Sequence, residues 1–243
     1  MAMRQGATYD DPSAILEARS RAGHAIREIG HAFIGRHATL EQIDRLSDVL
    51  ESITAELWPA EQRTRELHDF AKEQQTDVPQ GPFENVFDDR PVSGRSSPWG
   101  LDLDLHRYGD EIEALVTLRS AHEGAPGRGH GGVIAALFDD VFGYVLGVVH
   151  QPAFTGDLYI RYQAPTPLFR PLACRVRMSE RVGRKLLLTG ELSDVESGRV
   201  VATANATFVA VDPALFKALT AERPAPPDED QLEVVPGTTP NSD

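Results

Sequence analysis

Cysteine is nearly absent. Cys174 is the only one in 243 residues, which excludes an internal disulfide and any multi-cysteine metal knot and fits a reducing compartment. Basic residues are also in deficit, 24 Lys plus Arg against 37 Asp plus Glu, for a formal net charge of −13. That balance speaks against general nucleic-acid binding, whose affinity comes from clustered Lys and Arg. The first residues, Met1 to Ser13, lack the apolar core a signal peptide needs. The most apolar run, Val133 to Val149, is about 17 residues, at the short limit for a membrane span. It also carries Asp139 and Asp140, each of which would cost roughly 2.5 to 3.5 kcal/mol at mid-bilayer. A soluble cytoplasmic protein is expected, with neither membrane nor nucleic acid as partner. What is present is ordinary globular material: 41% hydrophobic and 25% charged residues are enough for a real core, in a length that suits one domain plus a smaller helical piece.

Residues 1–75 read as a helical region. Asp11 followed by Pro12 is a good N-cap and first-turn pair, and Ile15, Ala18, Ala22, Ile26, Ile29 and Phe33 recur at spacings of three and four up to Gly35. Thr39 with Gln42 reads as a capping box for a second helix, whose stripe is Leu40, Ile43, Leu46, Val49 or Leu50, Ile53 and Leu57. The two stripes are expected to pack on each other as a hairpin and also on something else. Residues 76–98, rich in Pro, Gly, Ser and Asp, read as a linker wrapping the next unit.

Residues 99–212 have the character of a strand-rich domain. Leu101, Leu103 and Leu105 alternate with polar residues, and the turn at Gly109-Asp110 leads to Ile112, Leu115, Val116 and Leu118. The apolar helix follows, then strand-like runs at 156–163, 172–180, 185–193 and 199–211. Residues 213–243 read as a short helix and an acidic, Pro-rich disordered tail. A helix apolar on nearly every face must be enclosed, and a curved antiparallel sheet wrapped around it is the economical enclosure. The expected class is therefore α+β.

The segment His130-Gly-Gly-Val-Ile-Ala-Ala-Leu-Phe-Asp139, preceded by Glu123-Gly-Ala-Pro-Gly127, resembles the signature of hotdog-fold acyl-CoA thioesterases of the phenylacetate-pathway group. Thr155 to Leu168 and the turn Val182-Gly-Arg184 are similar to the same family. The resemblance covers roughly residues 91–211 and implies a hotdog fold with an N-terminal helical extension. It implies Asp139 as the acidic catalytic residue and Thr155 as a residue that helps set the site. It further implies a homo-oligomer, a dimer or dimer of dimers with sheets joined edge to edge, and no cofactor. Some branches carry an Asn or Gln where this chain has Gly124, a departure that removes an amide able to hold the substrate carbonyl.

The residues themselves support thioester chemistry. Hydrolysis needs stabilisation of a developing oxyanion and a base or nucleophile at the carbonyl carbon. Gly131 and Gly132 open the helix, where free N–H groups and the positive dipole end favour negative charge. Asp139, on a face with Ala135 and Gly143, has room for a ligand, whereas Asp140 reads as a structural carboxylate accepting hydrogen bonds. His130 either holds the turn through its ring or touches the thioester, and Thr155 either positions water or is an ordinary strand residue. Gly131 and Asp139 are eight residues apart, roughly 12 Å of helix rise. One chain's carboxylate therefore cannot attack a carbonyl held at its own helix start, and the site should be shared by two antiparallel helices across a two-fold axis.

Coenzyme A phosphates require local cations in so acidic a protein, and Arg128, Arg161, Arg181, Arg184 and Lys185 are the candidates. His122, His150 and Cys174 have no ligand spacing, so no metal is assigned. Two other readings stay open: a hotdog hydratase, whose Pro-Gly step His130-Gly-Gly lacks, and a non-catalytic acyl-CoA sensor or interaction module with the N-terminal helices as its output. The acyl group is not legible in the sequence.

Overall fold

The computed structural model describes residues 12–60, 63, 77–84 and 88–212. Helix α1 is Pro12–Gly35 and α2 is Leu40–Leu57. The strands are β1 Gly81–Phe83, β2 Leu103–Tyr108, β3 Glu111–Thr117, β4 Ala153–Tyr162, β5 Pro171–Val182, β6 Lys185–Asp194 and β7 Val200–Ala210. A short 3-10 turn, Ser120–His122, precedes helix α3, Gly131–Val148. The expected N-cap Asp11, most of the polar stretch after α2 and the expected tail at 213–243 lie outside the described residues.

The strands form one antiparallel sheet in the order β1-β2-β3-β5-β6-β7-β4. Helix α3 follows β3 and packs on β3, β4, β5 and β6. Its Ile134, Leu137, Phe138, Val141, Phe142, Val145 and Leu146 are buried in one core with Ile112, Leu172, Val176, Leu186, Leu188 and Phe208 from the sheet. This is the enclosed helix the hydropathy pattern demands. Among the described residues α3 is also the only helix long and apolar enough to cross a membrane, a property shared by any fully wrapped core helix. The stretch read as a linker contributes β1 as the edge strand beside β2. Pro82 is tolerated there because an edge strand can spare the missing N–H. Three residues with no alternation carry no strand signal.

The N-terminal helices differ from expectation. The α2 capping box is present: Gln42 N–H donates to Thr39 Oγ1 and the Gln42 side chain accepts from the Thr39 N–H. Yet α2 has no buried residue, and it forms no packed hairpin with α1. Helix α1 docks on the domain through its polar face. Gly23, Arg27 and His31 are buried. A Cβ at Gly23 would lie 2.6 Å from the Ser96 carbonyl carbon, so only glycine allows this approach. The Arg27 guanidinium donates to the Ser97 carbonyl (2.6 Å), the Arg95 carbonyl (3.0 Å) and the Asp102 carboxylate (2.7 Å). Arg119 pairs with Glu28.

Farther along the helix, His31 Nδ1 accepts the Ala121 N–H at 3.1 Å, and the His31 and His122 rings meet edge to face at 4.7 Å. His122 Nδ1 accepts the Arg119 N–H. Both imidazoles therefore act as acceptors and must be neutral. Burial pushes His31 below its ordinary range and His122 down to about 4. Their contribution to docking is present above the ordinary 6.5 and is lost as pH falls toward about 4, because the undocked histidines take up protons first. Arg119 holds Glu28 down to about 2, so that contact outlasts the histidines. Acidification from pH 7 into this window should loosen α1 before the sheet. Hydrogen exchange, corrected for its intrinsic pH dependence, should show protection falling in Pro12–Gly35 while β5 and β6 stay protected; equal protection of α1 at both ends of the window would contradict this.

Candidate active site

Helix α3 begins at a built cap. His130 is extended (φ −68°, ψ 133°), and its Nδ1 accepts the Gly132 N–H at 3.0 Å. The His130 carbonyl accepts from Val133 and Ile134. This corrects the expectation that both glycines present free donors: the Gly132 N–H is taken by His130, because an N-cap acceptor reaches the second or third amide of the helix. The Gly131 N–H has no partner among the described residues. Of the two readings of His130, the ring geometry matches the one in which it holds the turn.

Tyr162 joins the site without any signal in the sequence. Its hydroxyl donates to the Gly131 carbonyl at 2.7 Å, tying the helix start to the end of β4. The Leu158, Ile160, Tyr162 alternation places Tyr162 on a strand but carries no sign of this partner. Gly124 is explained by space: a Cβ there would lie 2.9 Å from His130 Cα, so an Asn or Gln would displace the cap.

Asp139 is exposed on the surface of a helix that is otherwise largely buried. The Thr155 hydroxyl donates to Asp139 Oδ1 at 2.8 Å. Thr155 reaches it because the β4–β7 register slips between Thr155 and Asp157, with Gly156 as the extra residue, and such a bulge re-aims the neighbouring side chain. Thr155 thus orients the carboxylate. Asp140 points the other way, into the protein. One of its carboxylate oxygens is buried with no hydrogen-bond partner among the described residues, and burial pushes its pKa up. Ser93 hydrogen-bonds to Asp140 and lies 2.8 Å from the Tyr144 hydroxyl, and the Arg90 guanidinium stacks 4.6 Å over the Tyr144 ring. Arg90 also lies against Gly143, one turn beyond Asp139. No sequence spacing links 90 and 93 to α3.

The helix between Gly131 and Asp139 is continuous, so the roughly 12 Å separation stands. The candidate cations fall into two groups. Arg128, which bridges Pro167, lies beside Gly129 in the turn that leads to Gly131, and Arg161 sits one residue from Tyr162. Arg184 and Lys185 lie at the other end, where Lys185 and Phe154 both flank Val209. The Arg184 guanidinium donates to the Ala210 carbonyl, and Arg181 to the Gln151 side chain. One chain does not bring these groups together. Among the described residues no cluster of His, Cys, Asp or Glu offers a metal site.

Comparison with known proteins follows the same residues. Residues 127–202 match the family model described as thioesterase superfamily. The acyl-coenzyme A thioesterase THEM4 of Mus musculus is 30% identical over 123 residues, 49% of this chain and 53% of the mouse protein. Its Bos taurus counterpart is 29% identical over 116 residues, 47% of this chain and 48% of that protein. The chain thus spans about half the length of the curated relatives it matches. A crystal structure of a thioesterase superfamily protein superposes with a TM-score of 0.66 at 28% identity, covering 79% of this chain and 94% of the other. That span exceeds the 99–212 domain alone. Residues 127–202, which hold the His130-Gly-Gly turn and Asp139, thus match the thioesterase superfamily, and the seven-stranded sheet packed on one helix is the hotdog architecture.

Proposed function

We propose that this chain hydrolyses acyl-CoA thioesters to a free acid and CoA, at a site shared between two copies. The observation that carries the reading is the Thr155 to Asp139 hydrogen bond, which holds an exposed carboxylate in a fixed direction on the core helix. A carboxylate so placed, with no buried partner to neutralise it among the described residues, suits a base that works on a bound molecule. The named activity of the THEM4 relatives points the same way.

In this scheme the Gly131 N–H of one copy polarises the thioester carbonyl, aided by the positive end of α3. Asp139 of the second copy takes a proton from the attacking water as its oxygen bonds to the carbonyl carbon. The tetrahedral intermediate then expels the CoA sulfur, which receives that proton. The strand β4 supports such a dimer: among the described residues it is the last strand of the sheet, ten residues long and mostly exposed, with Tyr159 facing out, and a sheet edge of that length invites another strand. Two antiparallel β4 edges would bring Arg128 and Arg161 of one copy beside Arg184 and Lys185 of the other, a paired set of cations for CoA phosphates.

A thiol-release assay across short, long and aromatic acyl-CoAs tests the activity. At least one class should be hydrolysed well above the background of Asp139→Ala. Binding of acyl-CoA with no hydrolysis of any class would overturn the enzyme reading in favour of a non-catalytic sensor.

A further inference from the structure

The N-terminal helices present two apolar stripes that nothing among the described residues covers. On α1, Ile26, Ile29 and Phe33 are 48%, 39% and 50% exposed, because Arg27 and His31 occupy the docked face instead. On α2, Leu40, Ile43, Leu50, Ile53 and Leu57 are 37 to 74% exposed. An isolated helix of this length is marginal in water even when well capped, so α2 requires a packing partner. The exposed apolar side chains of the two helices amount to on the order of 1,000 Å² per chain, above the few hundred Å² of a typical monomer patch and comparable to the roughly 800 Å² each partner buries in a standard interface.

Charge selects what covers them. Helix α2 carries Glu41, Asp44, Asp48, Glu51 and Glu56 against Arg45 alone. On helix α1 Arg19, Arg27 and Glu28 are committed to Asp89, Asp102 and Arg119, which leaves Arg21 beside Glu17; Arg36 lies just beyond its last residue. Two α2 helices face to face would set acidic rows against each other, whereas α2 on α1 avoids that repulsion and meets Arg21 and Arg36.

We propose that α2 of one copy packs on α1 of a second copy, and reciprocally, so that the N-terminal helices form a two-fold interface separate from β4. Joined with pairing through β4, this yields a dimer of dimers. Only that joining rests on the proposed catalytic dimer; the helical interface itself is independent of it.

The test uses the full chain. Ile43→Glu, Leu50→Glu and Ile53→Glu combined should halve the number of chains per particle in sedimentation, with hydrolysis per chain retained because none of the three lies near Asp139. An unchanged mass would overturn the proposal. Because α2 could unravel in that variant, a second measurement keeps its sequence nearly intact. Chains with Ile26→Cys are mixed with chains with Leu50→Cys and treated with a short bifunctional maleimide; Cys174 is buried and stays silent. A two-chain product formed in the mixture and not by either variant alone is expected. No such product, a product from Leu50→Cys alone, or cross-linking only within a doubly substituted chain would each overturn the pairing. Loss of hydrolysis with the interface intact would count against the catalytic reading and leave this one standing.

Discussion

Asp139→Asn should lower thioester turnover by at least about a hundredfold while the fold stays intact, the low end for loss of general-base assistance. The carboxylate is exposed, and the Thr155 hydroxyl donates to it at 2.8 Å. An amide oxygen can still accept that bond, so the substitution removes the basic oxygen and little packing. Asp140→Asn should behave in the opposite sense. That side chain is largely buried beneath the helix, close to Ser93, Tyr144 and Arg90, and exchanging it disturbs a polar network in the interior. Its effect should appear first in thermal or denaturant unfolding, with a smaller change in turnover per folded chain. Steady-state kinetics and unfolding curves on the two variants check this; Asp140→Asn inactive beside an active Asp139→Asn would reverse the assignment.

Much of this site is legible in the sequence because helix geometry is local. A run apolar on nearly all faces from Val133 to Val149 must be wrapped, and Asp139 and Gly131 on one helix are a fixed distance apart. The capping box of Thr39 and Gln42 is legible for the same reason. Contacts between distant segments are not. Tyr162 reaches Gly131, Thr155 reaches Asp139 through a one-residue bulge, and Ser93 and Arg90 lie against α3, and no spacing reports such pairs.

The N-terminal helices show a different limit. Periodicity identifies the apolar stripe of α1 but implies that it faces inward. The surface it meets, from Arg95 to Asp102, presents carbonyls and a carboxylate, and Arg27 satisfies three of them. A polar face that pairs so fully wins the docking, and the apolar stripe turns outward. The spacing of apolar residues along a helix says which face is apolar; it does not say which molecule covers it.

The shared site is tested most directly by complementation. Asp139→Ala chains and Gly131→Pro chains should each be inactive, the second because proline removes the Gly131 N–H, which is unpartnered among the described residues. The extended backbone of His130 is compatible with a following proline. A Cβ at Gly131 would lie 3.1 Å from the Tyr162 hydroxyl, so Gly131→Ala, which keeps the N–H, controls for that crowding. Co-expressed with distinct tags and checked for folding, the two inactive chains form heterodimers in which one site combines an intact glycine turn with an intact Asp139. A statistical mixture should recover about one quarter of wild-type turnover, and purified heterodimer about half. Folded heterodimers with no activity above either parent would contradict a site built from two chains.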